Sequence, residues 1–164
     1  MTTRIRLLVL AALVLLAGVA NISGRPDSYG AASLDYRRWT HVKSAVIDPK
    51  SSTAGRFGGI HHIYANDKAM EGYRTGQFPD GSVIVFDQLE TRENAGTTQE
   101  GSRKFIDVMT KDSKRHADTG GWEFEEFTGD NHIDQVLTAQ AKAGCFGCHT
   151  RQREHDFVFS TFRK

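Results

Sequence analysis

Five residues near the C-terminus, Cys145-Phe146-Gly147-Cys148-His149, constrain this chain more than any other stretch. The spacing C-x-x-C-H is that of a c-type haem attachment site. Two thiols so placed can add to the two vinyl groups of one porphyrin. The following histidine then lies beneath the iron and can offer it an imidazole nitrogen. Three other chemistries use two nearby cysteines. A redox dithiol needs a thioredoxin-like βαβ setting, which the flanking sequence lacks. Structural zinc wants four Cys or His ligands with a second paired cluster, and this chain has two cysteines in all. A disulfide closed over so short a loop adds little stability. Haem attachment is the reading that uses every residue of the motif.

The other end of the chain supports it. Arg4 and Arg6 form a positive segment, residues 7–19 are apolar, and Gly18-Val19-Ala20 places small residues before a cleavage point. That is the pattern of a secretory signal, with cleavage expected after Ala20. The apolar run is short for a membrane span, which needs about 20 residues. Thioether formation in bacteria takes place outside the cytoplasmic membrane, so export and attachment belong together. The chain is therefore expected to be periplasmic, with residues 1–20 as signal peptide. Residues 21–32 are rich in Gly, Ser and Asn and read as a flexible leader. Residues 33–164 then form one domain.

Loss of Arg4 and Arg6 takes the formal charge from +1 to −1. Such a balance leaves no electrostatic footprint for nucleic acid or for a polybasic membrane contact. No later segment is long and apolar enough to span a bilayer. All ten phenylalanines lie after residue 20, a payload that suits a haem-lined core.

The patterning predicts a short helix at 35–39 capped by Ser33 or Asp35, then strands at 40–47 and 57–65, with 50–56 as loop. Asn66 should cap a helix running to Thr75, stopped by Gly76. Val83 to Phe86 is an unbroken apolar run inside a strand at 82–89, suited to burial on both faces. Residues 91–101 read as a solvent loop. The strand at 104–110 puts Phe105, Asp107 and Met109 on one face, and Ile106 and Val108 on the other. A strand is expected at 122–127 and a helix at 132–142, ended by Gly144 before the haem motif. After it come a charged loop at 150–156 and a last strand at 157–162. His41, His116, His132 and His155 sit in polar contexts and read as surface residues. The fold class that follows is α+β: a mostly antiparallel β-sheet with two or three helices packed around one c-type haem.

Several runs resemble the cytochrome P-460 family. They are Tyr36-Arg37-Arg38-Trp39, Phe57-Gly58-Gly59-Ile60, the run from Tyr73 to Gly81, Lys111-Asp112-Ser113 with Gly121-Trp122, the late C-x-x-C-H motif and Val158-Phe159. The resemblance covers residues 33–164. It implies an exported haem protein, commonly a homodimer, whose iron has a proximal histidine and an open or water-occupied distal side. Cytochrome P-460 proper oxidises hydroxylamine and carries a lysine cross-linked to its porphyrin. The c′-beta members lack that cross-link and bind nitric oxide and carbon monoxide under phenylalanines. The lysine position falls here on Phe86, which cannot form the bond, so the chain is closer to the c′-beta side. The family's distal carboxylate falls on Asp107 and its distal arginine on His61.

These positions also read from the residues alone. Phe86 is equally a core side chain in an apolar strand. A carboxylate between Phe105 and Met109 is either paired, exposed at an edge, or in a pocket. His61 and His62 point to opposite faces, so at most one can face a haem. Met109 and Met70 could serve as sixth ligands or simply fill gaps. The expected cofactor is one covalently attached haem c. Cys145 and Cys148 anchor it, His149 ligates the iron, and Phe86, Asp107 and His61 lie on the distal side. The expected partners are a small gaseous or nitrogen-oxide ligand and a redox protein the sequence does not specify. Binding of nitric oxide is the leading reading. A haem oxidoreductase for hydroxylamine or peroxide, and a six-coordinate electron carrier, are the rivals.

Overall fold

The computed structural model describes residues 35–131 and 134–163. Five strands form one sheet in the order of the chain: β1 (Thr40–Ile47), β2 (Gly59–Ala65), β3 (Val83–Asn94), β4 (Thr97–Lys111) and β5 (Trp122–Thr128). Every neighbouring pair is antiparallel. Among the described residues three α-helices accompany them: α1 (Ala54–Phe57), α2 (Asp67–Thr75) and α3 (Ala139–His149). The expected α+β class is the one observed. Among the described residues no helix is long and apolar enough to cross a membrane.

The connection from β2 to β3 shows how local chemistry sets the layout. Asn66 Oδ1 accepts from Ala69 N at 2.9 Å and from Val83 N at 3.0 Å, while Nδ2 donates to Gly81 O at 2.9 Å. One side chain thus starts α2 and ties it to the first residue of β3. Gly76, at φ 83°, takes the left-handed conformation that ends the helix. Ala69, Met70 and Gly72 are its buried face. Gly72 has no room for a β-carbon, because the Phe78 ring packs on it.

Alternation divides the sheet into two apolar faces. Val42, Ile63, Ala65, Ile84, Trp122 and Phe124 pack with α2, Phe78 and Val158 on the first. Val83, Val85, Ile106, Val108 and Phe127 pack with Tyr36 and Trp39 on the second. The second face also buries Asp87. It accepts from Tyr36 Oη at 3.0 Å, Arg37 Nη2 at 2.8 Å and Arg103 Nε at 2.7 Å. Burial alone would raise its pKa; the two guanidiniums outweigh that and hold it below the usual carboxylate range.

Several expectations are corrected. Residues 91–101 are not a loop: β3 and β4 continue as a ribbon around Ala95 (φ 48°) and Gly96 (φ 80°). Water faces both sides of that ribbon, so no apolar alternation marks it. Residues 54–57 form α1, and β2 begins at Gly59, whose φ of 116° excludes an ordinary side chain. The helix expected at 132–142 is not formed over 134–138. Gln135 bridges to Phe127 and Val136 N donates to Glu126 O, so the chain first follows the edge of β5. α3 starts only after Thr138, whose side chain accepts from Ala141 N, and it continues past Gly144 to His149. Residues 150–155 are a 3-10 turn rather than a loop. No strand forms at 157–162, because Asp156 and Phe157 turn with positive φ and Val158 dives into the core. Phe86 is half-buried, so β3 is not covered equally along both faces. His116 is half-buried, with Nε2 3.4 Å from Glu123. The signal segment 1–20, the leader 21–32, Ser33 and His132 lie outside the described residues.

Candidate functional site

α3 carries the motif in its last turns. Its alanines favour helix, and the Thr138 cap secures its start. Cys145 and Cys148 are both free thiols, the first half-buried and the second exposed. Three residues apart on a helix, they share one face. His149 is the last residue of that helix. Its Nδ1 lies 2.7 Å from the Phe157 carbonyl oxygen. A carbonyl only accepts, so Nδ1 carries the proton and Nε2 keeps its lone pair. The ring packs edge-on against Phe124 and Phe159, with centroids 5.1 and 5.0 Å away. Burial lowers its pKa, which favours the neutral ligand form.

The first face of the sheet lies beside it in three rows read across the strands. Ala65, Ile84, Met109 and Phe124 form one row; Ile63, Phe86, Asp107 and Glu126 the next; His61, Gln88, Phe105 and Thr128 the third. Successive rows are about 7 Å apart, two residues along a strand. His149 packs on the first row, and the three expected distal residues occupy the second and third. Phe86 and Asp107 are direct cross-strand partners. His61 stacks on Phe86 with centroids 4.5 Å apart and planes at 26°. His62 points to the other face and touches Ser44, as strand alternation requires.

Two polar atoms in the third row are buried without a hydrogen-bond partner, His61 Nδ1 and Gln88 Oε1. His61 and Gln88 are paired residues. Burial first, then His62 and Lys43, lower the His61 pKa to about 4. His61 is therefore neutral at pH 7.

Sequence reasoning missed two charged residues here. Arg56, on α1, forms an ion pair with Glu126, and its Nη2 lies 3.6 Å from Asp107 Oδ2. Its guanidinium also rests 4.7 Å from the Phe105 ring centroid. One arginine cannot hold two adjacent carboxylates ionised. Burial, then the Glu126 charge, push Asp107 up to about 8 against the pull of Arg56. Phe57 joins Phe86 and Phe105 in edge contacts of 5.9 and 6.0 Å. Glu126 had a legible signal, since it shares strand parity with Trp122 and Phe124 and so puts a carboxylate on an apolar face. Arg56 had none. The Cys145 thiol is raised by burial and then by Asp107, which places the helix and the three-residue charge cluster within one site.

This donor set fits a c-type haem: two free thiols one turn apart, a neutral imidazole with Nε2 available, and an aromatic face with unsatisfied polar atoms. Among the described residues no group of three or more His, Cys, Asp or Glu side chains is placed to hold a metal ion on its own. The family model described as Cytochrome P460 matches residues 33–160. No curated protein matches the chain.

Proposed function

This chain belongs to the cytochrome P460 family, a family of haem proteins, and from that premise we propose an exported mono-haem c-type cytochrome that binds small ligands such as nitric oxide. Cys145 and Cys148 hold the haem, and His149 ligates the iron through Nε2. When bound, the haem supplies an iron with one coordination position open to a diatomic molecule. The observation that carries this reading is the 2.7 Å contact from His149 Nδ1 to the Phe157 carbonyl, which leaves Nε2 as the ligating atom. Phe86, Phe57 and Phe105 exclude water and favour neutral gases over anions. Phe86 stands where cross-linked relatives carry lysine, which supports the c′-beta type. His61, neutral at pH 7, can offer one hydrogen bond at Nδ1.

A second reading, a haem oxidoreductase acting on hydroxylamine or peroxide, is favoured by Asp107. A carboxyl that keeps its proton near pH 7 beside Glu126 can deliver that proton within the site.

The test is the optical spectrum of protein matured in a host equipped for cytochrome assembly, with a pyridine haemochrome assay. Covalent haem lost in the Cys145→Ala/Cys148→Ala double variant, and a ferrous spectrum that changes with carbon monoxide and nitric oxide, are expected. A colourless product, or a six-coordinate spectrum indifferent to both gases, overturns it. Steady-state turnover with hydroxylamine or peroxide above that of free haem supports the second reading.

A further inference from the structure

Beyond α3 the chain turns back beneath His149 through two consecutive non-glycine residues with left-handed backbone, Asp156 (φ 50°) and Phe157 (φ 64°). L-residues avoid that region, so two in succession persist only where surrounding contacts over-determine them. Those contacts converge on Asp156. Its Oδ1 accepts from Lys111 Nζ at 2.6 Å and its Oδ2 from the Phe78 amide at 2.8 Å. Its carbonyl accepts from Trp122 Nε1 at 2.9 Å. Lys111 Nζ also donates to Gly120 O at 2.9 Å and lies 4.9 Å from the Trp122 ring centroid. Phe78, Lys111, Trp122 and Asp156 are all buried. A β-carbon on Gly120 would overlap the Phe157 ring. The next carbonyl in the chain is the one that accepts from His149 Nδ1.

The runs that carry the family resemblance thus supply Phe78, Lys111 and Trp122 to a single aspartate. A buried ion pair contributes little net stability, because desolvation offsets its attraction. What it does well is hold one geometry. We propose that Asp156 is a positioning residue for the haem iron: clamped by Lys111, Phe78 and Trp122, it fixes the Phe157 carbonyl on His149 and so sets how strongly that imidazole donates to the metal. The inference rests on His149 as axial ligand. A firm acceptor at Nδ1 makes Nε2 more basic and favours the oxidised metal. Loosening the clamp weakens the acceptor and favours the reduced metal.

The experiment compares Asp156→Asn and Lys111→Gln in haem-loaded protein. Two quantities are read: the reduction potential by spectroelectrochemistry, and the iron–histidine stretching frequency by resonance Raman spectroscopy of the ferrous form. Both variants are expected to raise the potential and lower the frequency. The expected size is about tenfold in the ferrous-to-ferric ratio at fixed solution potential, taken equal to the smallest loss of metal affinity that follows removal of an outer-shell partner. The two substitutions change local charge in opposite senses. Simple electrostatics would therefore move the two potentials apart and leave the frequency alone, and that result overturns the proposal. So does a potential unchanged in both. If Asp156→Asn does not accumulate, Lys111→Gln decides alone, since the clamp predicts a rise where loss of a positive charge predicts a fall. A parent protein without haem or without a histidine ligand overturns the proposed function as well. A histidine-ligated parent with unresponsive variants overturns only the clamp.

Discussion

Replacing Glu126 by glutamine is expected to lower the pKa of Asp107. In the parent protein burial and Glu126 hold it up to about 8, with Arg56 pulling the other way. Asp107 and Glu126 stand directly opposite each other on β4 and β5. Their side chains therefore start about 5 Å apart. Two like charges at that distance repel by about 3 kcal/mol at an effective dielectric of 20. That is about two pKa units. Glu126→Gln removes the repulsion and releases Arg56 to Asp107, so the titration should move from about 8 towards about 6. At pH 7 the protonated share of Asp107 then falls from about nine-tenths to about one-tenth. Infrared difference spectroscopy reads this directly as the carbonyl band of a protonated carboxyl. Glu125, raised to about 7 by burial and then by Glu123, adds a separate step that Asp107→Asn leaves in place. A pH 7 band unchanged by Asp107→Asn, or undiminished in Glu126→Gln, would refute the reasoning. Stability carries the same signature. Unfolded Asp107 loses its proton near pH 4, whereas the folded protein keeps it to about 8. Its stabilising contribution is complete below about pH 4 and is lost as pH rises to about 8, and Asp107→Asn should abolish that loss.

Two further outcomes follow from the packing. Asn66→Ala removes two accepted hydrogen bonds and one donated bond at the joint between α2 and β3. Urea titration should show a loss of about 2–3 kcal/mol with an unchanged m-value. Phe86→Ala removes the ring on which His61 stacks, and flash photolysis should show faster carbon monoxide rebinding; an unchanged rate would place Phe86 away from the ligand path.

The strands that were legible in the sequence are those with a wet face or a chemically marked end. β1 was legible to the residue, and α2 with both caps, because Asn66 and Gly76 have local backbone reasons to be where they are. The β3–β4 ribbon was illegible since its stability comes from cross-strand pairing, such as Thr91 with Glu100, and not from an apolar stripe. The C-terminal segment misled for the opposite reason. Phe157 and Phe159 alternate as a strand would, yet the Asp156 contacts impose a turn that no local pattern encodes. At the site, the anchoring cysteines and histidine announce themselves by spacing. Phe86 and Asp107 came from the family resemblance, and the β3–β4 register that sets them side by side is not displayed in the sequence. Arg56 reaches them from a helix of four residues, through a tertiary contact that the sequence does not display.

The same distinction between local and long-range contacts bears on how the haem is acquired. β1 to β5 pair in chain order, each strand with the next, so the sheet can assemble by successive steps between sequence neighbours. Its second apolar face and the Asp87 cluster use only residues from Tyr36 to Phe127. α3 is different. It has 11 residues, none of them fully buried, and isolated helices of that length are marginal in water. Its stability must come from the site it helps to form. Apoprotein is therefore expected to contain the folded sheet with α3 open, leaving both thiols accessible for attachment. Hydrogen exchange on the Cys145→Ala/Cys148→Ala protein should show strong protection in β2 to β5 and near-random exchange over 139–149. Protection of α3 equal to that of β3 in such protein would mean that the helix docks first and that attachment acts on a finished pocket.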